Sequence, residues 1–196
     1  MENATFEQMR ASVANERDAV DRLHGVLDRE ELGKALDYLL ASDMTVTTAC
    51  GSSGFAAQKF AHSLCCVERP AKFVPPAEAV HGGMGALRAG GALVVISRGG
   101  RSDELAPIVS IAKKKSARVI VITAAAQSEL ARAADALLLL PDVRESDRYG
   151  VMSTASFAAT LSILDALMIG IMEETDYRLE SFALIHPGGA VGKRIT

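Results

Sequence analysis

The sequence predicts an α/β fold in which a parallel sheet is covered by helices on both faces. Five short apolar runs are strand candidates, at residues 44–49, 72–74, 92–97, 118–123 and 136–140. Helix-like runs separate most of them, notably residues 53–66 and 103–116. Short apolar strands that alternate with helices are typical of a parallel sheet with helices on each face. The 196 residues fit one such domain with a sizeable core and a helical extension.

Two helices are predicted ahead of the first strand, within residues 5–41. Apolar residues recur there at helical spacing, at Phe6, Met9, Val13, Val20, Leu23 and Leu27 and then at Leu32, Leu36, Leu39 and Leu40. Asp28 is placed to cap the second helix, with Glu30 and Glu31 in its first turn. We assign residues 1–42 to N-terminal helices that pack on the domain or on a partner subunit, and residues 43–196 to the α/β domain.

A long helix is predicted over residues 151–174, which are rich in Ala, Leu, Ile and Met. Because this helix is apolar on nearly every side, we expect it to be buried in the core or against a second subunit. A lone monomer is therefore not expected. The chain then runs into a glycine-rich stretch, residues 181–193, which carries His186.

Composition excludes several classes of partner. The net charge of -3 and the isoelectric point near 5.8 argue against nucleic acid, since no basic stripe is available to neutralise phosphates. No unbroken apolar stretch of membrane-spanning length and no N-terminal signal pattern is evident, so we expect no membrane partner and a cytoplasmic location. Three cysteines without CxxC spacing favour neither a disulfide framework nor a thiolate zinc site.

Two glycine- and serine-rich loops each follow a predicted strand and precede a helix. The first, residues 50–54, reads Cys-Gly-Ser-Ser-Gly, and the second, residues 97–102, reads Ser-Arg-Gly-Gly-Arg-Ser. Ligands bind at such turns in open parallel sheets. Glycines permit close backbone approach, hydroxyls donate hydrogen bonds, and a helix N-terminus attracts anions. The pair of loops predicts a site for a phosphorylated small molecule.

The spacing within these loops narrows the choice of ligand. Neither the P-loop pattern nor Gly-x-Gly-x-x-Gly is present, so a compact phosphorylated metabolite is favoured over a nucleotide. Arg98 and Arg101 add positive charge to the second loop. The alternative is that the glycines only make tight turns while the serines cap helices, with Ser102 as N-cap and Asp103 and Glu104 in the first turn.

Three ionisable residues beside loop-like sequence, His81, Glu104 and His186, could form a proton-transfer set. Isomerising a sugar removes a proton next to a carbonyl and returns it to the neighbouring carbon, which needs a base and an acid. The alternatives are a helix-dipole role for Glu104 and surface positions for the histidines. A metal site is disfavoured because HxH and HxxxH spacings are missing, and we expect neither metal nor cofactor.

Five blocks resemble one known family: residues 50–54, 76–82, 96–104, 131–135 and 186–192. Together they resemble the SIS (sugar isomerase) phosphosugar-binding domain, closest to its arabinose 5-phosphate isomerase branch. The resemblance implies a five-stranded parallel sheet in a flavodoxin-like three-layer sandwich, assembled as a homodimer or homotetramer. It also implies that His81, Glu104 and His186 match the branch's active-site residues, with His186 available to a neighbouring subunit.

The residues that the loops place at the substrate are Gly51, Ser52, Ser53, Ser97, Arg98, Gly99, Arg101 and Ser102. Two of them depart from the branch pattern. Ser52 stands where the isomerases carry a lysine, and Gly99 stands where they carry a serine hydroxyl. We also expect no paired CBS module, into which longer members of the branch continue, within these residues.

The resulting expectation is an isomerase that interconverts an aldose phosphate and a ketose phosphate by general acid–base catalysis. The alternative is a phosphosugar-binding sensor without catalytic activity, which the missing lysine favours.

Overall fold

The computed structural model describes residues 2–188 and Gly192. The described strands are β1 (Thr45–Ala49), β2 (Ala71–Phe73), β3 (Ala92–Ile96), β4 (Arg118–Thr123) and β5 (Ala136–Leu139). They form one five-stranded sheet in the order β2-β1-β3-β4-β5, and every neighbouring pair is parallel. The predicted α/β fold with a parallel sheet is confirmed, and each predicted strand lies within about one residue of an observed one.

The described helices are α1 (Asn3–Leu23), α2 (Arg29–Ala41), α3 (Gly51–Cys66), α4 (Pro76–Ala79), α5 (Ala106–Lys114), α6 (Glu129–Ala133), α7 (Ala155–Glu174) and α8 (Leu179–Ile185), with a 3-10 turn at Gly83–Ala86. The cap predicted at Asp28 is confirmed, since its carboxylate accepts hydrogen bonds from the amides of Glu30 and Glu31 at 2.8 and 3.0 Å. This cap satisfies two amides that a helix N-terminus otherwise leaves unpaired.

Side chains on the two faces of the sheet enter separate apolar cores. Val94 belongs to the core that also contains Phe60 of α3 and Ile163 of α7. The next residue, Val95, belongs to the core that contains Ile108 of α5. Alternating side chains of one buried strand therefore pack on helices of both layers, which is the three-layer arrangement that the resemblance implied.

The N-terminal helices lie in the same layer as α7. Helix α1 packs along α7, and α2 packs on β5 and α7. Of the predicted α1 stripe, Leu23 is buried at 5% exposure and Val20 is half-buried. Phe6, Met9 and Val13 are instead 47%, 58% and 71% exposed.

Helix α7 meets the length and composition that a membrane-spanning helix needs, with a mean hydropathy of 1.8, which the sequence-based expectation did not anticipate. In this fold it packs against α1, α2 and α3. Ile163, Leu164 and Leu167 are at most 3% exposed. Most apolar side chains of α7 therefore pack in the core, as expected, although Ile169 on another side of the helix is 50% exposed.

Candidate functional site

The two serine-bearing segments begin side by side at the carboxyl edge of the sheet. Strands β1 and β3 are neighbours, with Ala49 paired to Ile96, so Cys50 and Ser97 leave the sheet from adjacent positions. The chain continues from β1 to β2 on one side and from β3 to β4 on the other. Such a reversal of strand order is where open α/β sheets form their ligand crevice.

The first segment is the opening turn of α3 rather than a separate loop. The helix begins at Gly51, two residues earlier than predicted, because Gly51 adopts φ +55° and turns the chain sharply after the strand. Cys50 is the N-cap, and its side chain makes no capping hydrogen bond within the described residues. Amides of the first turn, including those of Ser52 and Ser53, have no partner within the helix and carry its positive dipole. This end of α3 suits an anion.

A cavity of about 400 Å³ opens beside this turn. Among the described residues it is lined by Ala49, Cys50, Gly51, Gly54, Phe55, Gln58, Phe73, Pro75, Pro76 and Glu104. Glu104 thus reaches the first segment although it follows the second one in sequence. Burial, followed by the nearby Glu104 charge, raises the pKa of the Cys50 thiol. A largely apolar pocket of this size with one carboxylate has the character of a small-molecule site.

The second segment holds its two serines together. The Oγ atoms of Ser97 and Ser102 lie 3.2 Å apart, and Ser97 is only 8% exposed. The prediction of Ser102 as the N-cap of the next helix is wrong, since α5 begins at Ala106. The Ser102 carbonyl accepts from the amides of Leu105 and Ala106, but Pro107 has no N–H with which to continue the pattern. Glu104 therefore lies in a turn ahead of α5 and not in its first helical turn.

The two glycines of the second segment have different surroundings. Gly100 has φ +62°, and a Cβ on it would lie 1.9 Å from the Oγ of Ser128, so no larger residue fits there. A Cβ on Gly99 would meet nothing within 4 Å. Exposed Arg101 lines two cavities of about 310 and 430 Å³ at the start of α6. The second segment thus carries the Arg101 cation and open space at Gly99, on either side of the bend that Gly100 fixes.

Arg98 makes a contact that the sequence did not suggest. Its Nη1 lies 3.1 Å from Oε1 of Glu145, a buried residue in the connection that follows β5. Burial raises the pKa of Glu145, but hydrogen bonds from Ser156 and Thr154 outweigh it and hold that pKa below its ordinary value. Glu145 was not among the predicted site residues; the available signal was its place in a loop at the same edge of the sheet.

The two histidines are less closely tied to this cavity. His81 is exposed just after α4, where its amide donates to the Glu78 carbonyl at 3.1 Å. The ring of His186 stacks on Phe182 with centroids 3.8 Å apart, and its Nδ1 lies 3.1 Å from the Phe182 carbonyl oxygen. Neither histidine is among the described residues that line the cavity with Glu104.

Two further sequence-based expectations concern the final glycine-rich block and a metal site. Gly189, Ala190 and Val191 of the final block lie outside the described residues. Within residues 2–188 and Gly192, no group of three His, Cys, Asp or Glu side chains is arranged to hold a metal ion.

Comparison with known proteins gives a consistent family. The SIS domain family model matches residues 39–170. Arabinose 5-phosphate isomerase KdsD of Pseudomonas aeruginosa is 34% identical over 185 residues, which are 94% of this chain and 56% of that protein. The chain spans about half the length of the curated relatives it matches.

Solved structures agree in fold. A candidate sugar-phosphate isomerase from Listeria monocytogenes is 34% identical with a TM-score of 0.92, over 96% of this chain and 100% of that one. A protein of E. coli CFT073 in complex with arabinose 5-phosphate is 25% identical with a TM-score of 0.87, over 95% of this chain and 100% of that one.

Proposed function

Because the chain belongs to the SIS domain family, we propose that it is a phosphosugar isomerase that interconverts an aldose phosphate and a ketose phosphate. The observation that carries this proposal is the cavity at the switch between β1 and β3, where the first turn of α3 meets Glu104. A pocket of about 400 Å³ falls in the range of small-molecule sites. The similarity to KdsD supports a pentose phosphate of the arabinose 5-phosphate type as the first substrate to test.

We propose that Ser53, Ser97 and Ser102 hold the phosphate together with adjacent amides. Short hydroxyl and amide donors suit a dianion, and hydrogen bonds to a charged acceptor are stronger than those between neutral groups. Arg101 adds a cation. The remaining members of the proposed substrate site are Gly51, Ser52, Arg98 and Gly99.

Glu104 is the proposed base that moves the proton between adjacent sugar carbons through an enediol-like intermediate. Its place in the cavity beside the first turn of α3 supports this role, because it puts a carboxylate next to the amides that suit an anionic substrate. His81 and His186 are proposed as the acid partners. We propose that His186 serves a neighbouring subunit, as the family resemblance implies.

A second candidate function is a phosphosugar sensor without catalysis. It is favoured by one observation, the serine at position 52, where the resemblance places a lysine. The loss of that cation removes a group that could polarise a carbonyl. The two candidates share the phosphate site and differ only in proton transfer.

Proton exchange with solvent separates these functions. The protein would be incubated with arabinose 5-phosphate and other pentose and hexose phosphates in deuterated water and followed by NMR. An isomerase incorporates deuterium at the carbon next to the carbonyl, and Glu104→Gln is expected to slow this by about a hundredfold or more. Thermal stabilisation by a sugar phosphate without deuterium incorporation would favour the sensor. Full turnover in both Glu104→Gln and His81→Ala would refute the assigned roles.

We further propose a cytoplasmic homodimer or homotetramer. The exposed stripe of Phe6, Met9 and Val13 on α1 supports association, because contiguous apolar surface is costly to leave in water. Light scattering on the preparation used for NMR measures the subunit count.

A further inference from the structure

Arg98 joins two loops that are far apart in sequence. It follows Ser97 at the end of β3, yet its guanidinium contacts the segment after β5. Nη1 lies 3.1 Å from Glu145, and Nη2 donates a hydrogen bond to the carbonyl of Val143. These are two separate acceptors on one short segment, which suits the planar guanidinium better than a single point charge.

The partner in this pair is a buried carboxylate with many donors. The Glu145 side chain is 1% exposed, whereas that of Arg98 is 40% exposed. Glu145 accepts hydrogen bonds from the amide and hydroxyl of Thr154 at 2.9 and 3.1 Å. It also accepts from the amide of Ser156 at 3.3 Å and from its hydroxyl. A charge this deeply buried persists only when it is paired and hydrogen-bonded, so Glu145 is held firmly at the start of α7.

The main chain of Arg98 is anchored as well. Its carbonyl accepts hydrogen bonds from the hydroxyl of Thr123 and the amide of Ala124, both at 3.0 Å. One residue is therefore fixed by its backbone to the end of β4 and by its side chain to the segment ahead of α7. Its neighbours in the chain are Ser97 and Gly99, both members of the proposed substrate site.

We propose that Arg98 and Glu145 form a positioning pair that fixes the second loop, residues 97–102, in its ligand-binding geometry. Arg98 then acts on phosphate binding through Ser97 and Ser102 rather than as the main phosphate cation, which is Arg101. The consequence for ligand affinity rests on the proposed function; the consequence for loop order does not.

Hydrogen exchange on the full chain tests loop order directly. In Arg98→Met, the amides of Ser97 and Gly100, which donate to the carbonyls of Ile122 and Ser97, are expected to exchange about tenfold faster, since hydrogen bonds to a charged group that hold the loop are lost. Arg98→Lys should restore part of the protection because it keeps the charge without the second hydrogen bond. The matched control is Arg101→Met, in the same loop, which should leave exchange as in the wild type because Arg101 makes no ion pair among the described residues.

The double variant Arg98→Met/Glu145→Gln separates positioning from stability. It removes the unpaired buried charge that Arg98→Met leaves at Glu145. The urea unfolding midpoint of the double variant should therefore be higher than that of Arg98→Met, while amide exchange in the loop stays fast. Slow loop exchange in Arg98→Met, or recovery of both properties in the double variant, would overturn the proposal.

Calorimetry with arabinose 5-phosphate then tests the consequence for the ligand. Both Arg98→Met and Arg101→Met are expected to bind arabinose 5-phosphate about tenfold more weakly. Only Arg98→Met is expected to show faster amide exchange in the loop as well. If the wild type binds no sugar phosphate, the proposed function fails, and the exchange experiment still decides whether the pair orders the loop.

Discussion

The glycine pair of the second loop gives a sharp test of how this site is built. Gly100→Ala places a Cβ 1.9 Å from the Oγ and 2.4 Å from the Cβ of Ser128. Ser128 is 3% exposed and caps α6 by accepting from the amide of Ala131 at 3.2 Å. Because Ser128 has no space into which to withdraw, the substitution must displace the loop, the cap or both.

The expected loss of stability can be worked from three contributions. A non-glycine residue at the observed φ of +62° costs about 1–2 kcal/mol. Overpacking against Ser128 costs about 1–3 kcal/mol. Loss of the cap on α6 costs about 1 kcal/mol. Since one displacement relieves part of another, we expect Gly100→Ala to lower the free energy of unfolding by about 3–5 kcal/mol, or the melting temperature by roughly 10 °C.

Gly99→Ala is the matched control. The added Cβ meets nothing within 4 Å, and Gly99 is not among the glycines with positive φ, so the change in stability should stay within about 0.5 kcal/mol or be favourable. Urea unfolding of both variants followed by circular dichroism measures the difference. If the free energies of unfolding of Gly100→Ala and Gly99→Ala differ by less than about 1 kcal/mol, close packing on Ser128 does not fix the loop.

Two further predictions concern ligand affinity and pH. Gly99→Ser adds a hydroxyl where the structure leaves open space and the resemblance places a serine. We expect this variant to bind arabinose 5-phosphate about tenfold more tightly, as measured by calorimetry. Unchanged affinity would mean that the phosphate binds elsewhere. Glu145 has a pKa that is lower in the folded than in the unfolded protein, so its stabilisation is present above the ordinary carboxyl pKa and is lost as pH falls through the folded value. Urea unfolding between about pH 7 and 3 should therefore show a smaller acid-induced loss in Glu145→Gln than in the wild type, and equal slopes would contradict the assignment.

The strands were predictable because they are short apolar runs set off by glycine and charged residues. The capped start of α2 at Asp28 was predictable for a similar local reason, since one side chain supplies the cap. The start of α5 was not. Ser102 followed by two carboxylates has the composition of a helix start, but Pro107 interrupts the hydrogen-bond pattern and delays the helix to Ala106.

The site was predictable only as far as chain order allowed. Both serine segments were found because each follows a strand, and adjacent strands bring them together. The link between Arg98 and Glu145 joins segments far apart in sequence and depends on where the connection after β5 returns across the sheet edge. No local pattern encodes that return, and an arginine beside a phosphate loop is naturally interpreted as a phosphate ligand.

The charged residues at this sheet edge act as one connected set. The end of α3 carries Ser52 where the resemblance places a lysine, and the charge of Arg98 is largely matched by Glu145. Arg101 and Arg132 both line the cavity at the start of α6, together with Asp103 and Glu129. Glu104 shares its cavity with the opening amides of α3 and with the Cys50 thiol, whose pKa it helps to raise. If the chain isomerises a sugar phosphate, the negative charge that develops on the enediol oxygen must be stabilised by those amides rather than by a lysine. An isomerase of this kind would hold the phosphate through the hydroxyls of Ser53, Ser97 and Ser102 and stabilise the enediol oxygen through amides at the end of α3.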